Sequence, residues 1–86
     1  MEHNRLKILI LELLGPTGQD SHQVRQLVKE KDSVDLSQRA IEMALLRYWR
    51  QGLLRRERNG RRFNYVITER GVARREWLTS QKSMAP

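Results

Sequence analysis

Residues 47–62 hold seven arginines (Arg47, Arg50, Arg55, Arg56, Arg58, Arg61 and Arg62) against one acid, Glu57. That is a balance of +6 inside a chain whose formal net charge is +7, so almost all the excess charge sits on one short span. The span also has a shape. It reads as the end of a helix, a strand, an Asn59-Gly60 turn and a returning strand. A two-residue Asn-Gly loop between strand-like runs is the strongest local signal for a hairpin. An arginine-studded hairpin directly after a helix is a device for gripping phosphates. The plainer reading is a solvated hairpin that keeps the protein soluble. Solubility alone does not require the charge to be concentrated on one element.

With 86 residues the chain forms one small domain. A core of that size leaves little room for an enzyme pocket beside it. The chain has no cysteine, which excludes disulfides, thiolate chemistry and thiolate zinc. His3 and His22 stand too far apart in sequence to suggest a metal site and are expected on the surface. There is no Gly-rich phosphate loop, no nucleophile elbow and no pair of carboxylates in contrasting surroundings. The sequence therefore points away from an enzyme, and no cofactor or metal is expected.

The apolar run Ile8 to Leu11 is far too short to span a bilayer. Glu12 interrupts it and no small-residue cleavage site follows. The chain is expected to be soluble and cytoplasmic. A pI near 10.8 calls for an anionic partner, with nucleic acid ahead of anionic membrane. The membrane reading fails for lack of a basic helix with a clean apolar face.

The first helix is expected from about Asn4, a capping residue, to Leu14, with Gly15-Pro16 stopping it. Leu6, Leu9, Ile10, Leu13 and Leu14 share one face at helical spacing. A second helix starts at Asp20 or Ser21, turns Val24, Leu27 and Val28 inward and ends near Lys31. Val34-Asp35-Leu36 reads as a very short strand. Ser37 opens a third helix, on which Ile41, Ala44, Leu45 and Tyr48 form one stripe, and Gly52 ends it. Strands follow over 53–58 and 61–67, with Phe63, Tyr65 and Ile67 on one face and Arg62, Asn64 and Val66 on the other. Thr68 caps a last helix that reaches about Trp77-Leu78. The domain then covers residues 1–79, and 80–86 form a disordered tail.

This order, helix-helix-short strand-helix-hairpin-helix, is mainly α with a small β-hairpin. It resembles the winged helix-turn-helix domain. The likeness is carried by Ile41-x-x-Ala44-Leu45-x-x-Tyr48-x-x-x-Gly52-Leu53-Leu54 and by Tyr65-x-Ile67-Thr68-x-x-Gly71. It spans about residues 4–78 and is similar to small bacterial and archaeal transcription regulators of the MarR and PadR groups. No counterpart of the long flanking dimerisation helices of those regulators is expected in these 86 residues.

The resemblance implies a double-stranded DNA partner, with the third helix in the major groove. The core stripe leaves Ser37, Gln38, Arg39, Glu42, Met43, Leu46, Arg47 and Arg50 outward. Gln38 matches adenine and Arg39 guanine as bidentate partners. Glu42 either accepts from cytosine or holds Arg39 or Arg47 by helical spacing. Ser37 is expected to act first as the helix cap. Arg47 and Arg50 suit phosphates. Arg55, Arg56, Arg58, Arg61 and Arg62 form the wing, whose tip at Asn59-Gly60 can lie along a minor groove with Arg61 inserted. Strand neighbours point to opposite sides, so about half of these arginines are expected to touch DNA. Trp49 and Trp77 fit packing, at the wing base or a subunit contact, better than stacking on a base. Tyr48 and Tyr65 are expected at the core edge with exposed hydroxyls.

Ile8 and Leu11 fall off the main stripe of the first helix, so that helix needs cover on two sides. The last helix, with Val72, Trp77 and Leu78, supplies it from the same chain or from a partner. A homodimer with Ile8, Leu11, Trp77 and Leu78 at its interface is the expectation. No small-molecule effector is expected from so small a core. Sequence-specific DNA binding competes with two other roles for a winged helix. One is a protein- or RNA-interaction module of a larger complex; the other is non-specific architectural DNA binding.

Overall fold

A computed structural model describes residues 3–15 and 17–84, with the side chains of 4–15 and 17–81. The elements are α1 (His3–Leu13), α2 (Ser21–Asp32), α3 (Gln38–Arg50), β1 (Leu54–Asn59), β2 (Arg62–Ile67) and α4 (Glu69–Met84). This is the winged-helix order. The expected stop at Pro16 and the expected surface position of His3 lie outside the described residues and side chains.

The starts of α2 and α3 and the end of α3 have local causes. At the start of α2 the Asp20 carboxylate accepts from the Gln23 amide (2.9 Å), and the Gln23 side chain accepts from the Asp20 amide (2.9 Å). This is a reciprocal capping box. Ser37 caps α3 by accepting from the Ala40 amide at 3.1 Å. At the other end Gly52 takes φ +77°. Its amide donates to the Trp49 carbonyl, and the Leu53 amide to that of Tyr48, both at 3.0 Å. That is the Schellman ending, and it needs the left-handed backbone that glycine supplies.

The Asp20 cap yields a first prediction. Burial would raise the Asp20 pKa, but hydrogen bonds from the Gln23 amide and Arg62, the Arg62 charge and a further bond from the His22 amide hold it below the ordinary value. A depressed carboxylate stabilises the fold above its unfolded pKa of about 3.9. That contribution is lost as pH falls from there through the lower folded value. Asp20→Ala should cost about 1 kcal/mol at pH 7 by urea unfolding, with the gap to wild type narrowing as pH falls below about 3.9.

The core joins α1, α2, α3 and the hairpin base. Ile10, Leu11, Leu14, Ile41, Leu45 and Leu53 are almost completely covered. Leu11, off the expected α1 stripe, has no exposed surface and belongs to the core of the single chain, and α4 packs on α1. Leu78 is buried by the same packing. Lys7, one turn before Leu11, is buried as well and lies over the Tyr48 ring of α3 at 5.5 Å. Its pKa is lowered, first by burial and then by Arg74 and Arg47.

Several expectations are corrected. Tyr48 is not at the core edge: its hydroxyl is buried without a hydrogen-bond partner, and burial pushes its pKa up to about 12. Residues 34–36 form no strand. Ser33 turns the chain there with φ +55°, and Arg25 donates to the Leu36 carbonyl at 2.8 Å. The extra pairing to the hairpin comes instead from before α2, where Gln19 exchanges backbone bonds with Tyr65 (3.2 and 2.8 Å). Finally, α4 continues to Met84, well beyond Leu78. No proline or glycine stands between Val72 and Met84 to end it. The rest of the expected tail, residues 85–86, lies outside the described residues.

The hairpin frame is also shifted. Asn59 pairs with Arg62, so the two-residue loop is Gly60-Arg61 rather than Asn59-Gly60. Gly60 has φ +64°, while Asn59 and Arg61 do not have positive φ. This suits a turn with glycine first and does not suit the type I′ turn, which needs positive φ twice.

Candidate nucleic-acid interface

The outer face of α3 and the wing border one cleft of about 320 Å3. Its lining comes from α2 (Ser21, His22), α3 (Glu42, Met43, Leu46) and the wing (Arg56, Arg61, Arg62, Phe63, Tyr65). A second hollow, of about 490 Å3, is lined by Glu12, Arg75, Glu76, Thr79 and Ser80. It includes none of the α3 or wing arginines.

The head of α3 is tied to α2. The Gln38 amide donates to Ser21 Oγ at 2.7 Å and, more weakly, to Glu42 Oε1 at 3.5 Å. Ser21 Oγ donates in turn to Glu42 Oε1 at 3.3 Å. Glu42 thus has partners in Ser21 and Gln38. Gln38 is half-buried, whereas Arg39, Arg47 and Arg50 are exposed. Met43 is 49% exposed.

The register divides the wing into two faces. Leu54, Arg56 and Arg58 oppose Ile67, Tyr65 and Phe63, and directly opposed residues share a face. Arg55, Glu57 and Asn59 take the other face with Val66, Asn64 and Arg62. The five arginines then differ in what they touch. The Arg56 guanidinium lies 3.7 Å from the Trp49 ring centre and 4.3 Å from that of Phe63. It is held between the end of α3 and the wing, an arrangement worth about 0.5–2 kcal/mol per ring. Arg62 pairs with Asp20 at 3.2 Å and ties the wing to the start of α2. Arg55 pairs with Glu57 at 3.5 Å on the outer face. Arg58 donates to the Gly60 carbonyl at 3.2 Å, next to exposed Arg61 at the tip.

The structure therefore brings Glu42, Met43, Arg56, Arg61 and Arg62 to the cleft, with Arg39, Arg47 and Arg50 exposed on the same helix. Ser37 is occupied as the cap. Trp49 packs at the wing base, and Trp77, 55% exposed, lies near Arg74 on α4. Sequence reasoning missed Ser21, His22 and Phe63. Asp20-Ser21 carried only a capping signal, and Phe63 only strand alternation. Among the described residues no cluster of His, Cys, Asp or Glu could hold a metal, and no helix is long and apolar enough to cross a membrane.

A model of the PaaX-like protein family matches residues 6–71. No curated protein matches the chain as a relative. Solved structures do. A PadR family transcription regulator from Clostridium difficile R20291 is 22% identical, covers 92% of this chain and 93% of its own, and superposes with TM-score 0.69. A winged-helix DNA-binding protein from STIV is 19% identical, with coverage of 93% and 87% and TM-score 0.74. RosR of H. salinarum is 19% identical, with coverage of 94% and 78% and TM-score 0.73. At such identities the likeness shows the winged-helix fold.

Proposed function

From the chain's place in the PaaX-like protein family, to which it belongs, we propose that it is a sequence-specific double-stranded DNA-binding protein and a transcriptional regulator. The observation that carries this reading is the juxtaposition across one cleft of an exposed α3 face and an arginine-rich wing. The similar solved proteins support it, being a DNA-binding winged helix and a transcription regulator by description. The role is binding in the cytoplasm, not catalysis, and it calls on no cofactor, metal or small-molecule effector.

In this reading α3 enters the major groove and Arg39 takes a guanine edge. Gln38 can reach adenine only by leaving Ser21. Arg47 and Arg50 take phosphates, and the wing tip (Arg58, Asn59, Gly60, Arg61) follows the backbone into a minor groove. The first turn of α2, with Ser21 and His22, adds a helix N-terminus to the phosphate-facing side. The test is Arg39→Ala in a fluorescence-anisotropy titration. It should cost about 1–3 kcal/mol on a duplex selected from a random pool and relax choice at one base pair. Equal proportional loss on selected and random duplexes would assign the chain an architectural role instead.

The protein acts as a homodimer in the same proposal. Leu11 and Leu78 are covered within one chain, so the surface that asks for a partner reduces to half-buried Ile8 and exposed Trp77. Sedimentation of wild type beside Trp77→Glu checks it. A wild-type monomer at tens of micromolar contradicts the dimer.

A further inference from the structure

We propose that Met43 reads the 5-methyl group of a thymine in the DNA site. The inference rests on the reading of α3 as a major-groove helix and adds to it the base feature that the cleft recognises.

Three observations carry it. First, Arg39 apart, the hydrogen-bonding side chains at the head of α3 are engaged within the protein. Ser37 serves the Ala40 amide, Gln38 serves Ser21, and Glu42 accepts from both Ser21 and Gln38. Second, Met43 is an apolar side chain left in water. On α3 the large apolar residues Ile41, Leu45 and Tyr48 are fully covered, and Leu46 is half-buried, while Met43 is 49% exposed. It stands one turn beyond exposed Arg39, on the same side of the helix. Third, the wing side of the cleft, besides its arginines, also carries an exposed apolar ring. Phe63, 37% exposed, lines the same cleft and is fixed by the Arg56 guanidinium stacked against its ring.

Around this apolar floor stand Arg61 and Arg62, with Glu42, already bonded to Ser21 and Gln38, on the α3 side. A cationic rim with an apolar floor matches a duplex set with its phosphates on the rim and its groove over the floor. In the major groove the apolar group on a base-pair edge is the thymine C5 methyl. Met43, unbranched and polarisable, packs against such a group without a fixed shape. Its neighbour Arg39 then reads the adjacent pair by hydrogen bonds.

The experiment selects duplexes from a random pool with the wild-type protein and then replaces each thymine of the selected site, one at a time, by deoxyuridine. The change removes one methyl and leaves every hydrogen-bonding group in place. At one position the wild type should lose affinity about fourfold, the worth of one buried methyl. Met43→Ala should bind the thymine duplex more weakly and show no response to uridine at that position. Met43→Leu should keep the response. Met43 is half in solvent, and circular dichroism checks that both variants keep the fold. If no thymine responds, or if Met43→Ala responds as wild type does, the inference is overturned. Failure to enrich any duplex sinks the DNA-binding reading itself. Enrichment of a site indifferent to uridine overturns only the role given to Met43.

Discussion

Gly71→Ala is expected to lower the melting temperature by roughly 12–24 °C. A Cβ built on Gly71 overlaps the Leu53 carbonyl oxygen and comes within 2.7 Å of Ile67 Cγ1. The obstacle is backbone and cannot rotate away. That carbonyl also accepts from the Thr68 amide at 3.1 Å. Thr68 Oγ1 in turn donates to the Gly52 carbonyl (2.7 Å) and accepts from the Gly71 amide (3.0 Å). One knot of bonds thus joins the end of α3, the base of the wing and the start of α4. A side chain at 71 forces these three apart, at a cost on the order of 3 kcal/mol, the upper end for overpacking. For a domain of this size each kcal/mol shifts the midpoint by about 4–8 °C. Gly15→Ala is the control, because nothing lies within 4 Å of its added Cβ. A Gly71→Ala protein melting within a few degrees of wild type would refute this account of the joint.

The second large effect concerns the wing tip. Arg58→Ala/Arg61→Ala should weaken duplex binding roughly sixtyfold at 0.1 M salt. The figure follows from a salt slope of about −0.9 per neutralised phosphate, which makes each contact worth about eightfold at 0.1 M relative to 1 M. The slope itself should become shallower by nearly two. Arg55→Ala should change affinity far less, because Arg55 pairs with Glu57 on the opposite face of the hairpin. The readout is anisotropy across a salt series. Equal effects from Arg55 and the tip pair would mean that the hairpin contributes only its net charge, with no face directed at DNA.

Local rules made the framework legible. The stripe Ile41, Ala44, Leu45 and Tyr48, the cap Ser37 and the stop at Gly52 are short-range signals, and α3 follows them closely. The hairpin is equally local, yet its frame moved by one residue. Strand pairing between Asn59 and Arg62 decides which two residues form the loop, and a dipeptide signal does not contain that choice. What stayed hidden is long-range. A single bridge at Gln19 has no periodicity to reveal it. The packing of α4 on α1 joins segments nearly 70 residues apart in the chain. The stack of Trp49, Arg56 and Phe63 braces the wing against α3, a role for Arg56 that strand alternation does not reveal. The Ser21–Gln38–Glu42 bonds likewise engage two expected base readers, and only the packing of α2 on α3 brings them together. Gly71 entered through a family pattern, and its cause is the Leu53 carbonyl.

On the proposed function, α3 and the wing together hold a DNA duplex and read its sequence. The most direct measurement is one titration series on wild-type protein from about 0.05 to 0.3 M salt, against a selected duplex, a random duplex and single-stranded RNA. Log K should fall steeply with log salt on both duplexes, by about 0.9 per phosphate contacted. The selected duplex should stay tighter throughout, by at least about tenfold, and RNA should bind more weakly than either. Affinity that ignores salt, or RNA bound as tightly as the selected duplex, would contradict the account.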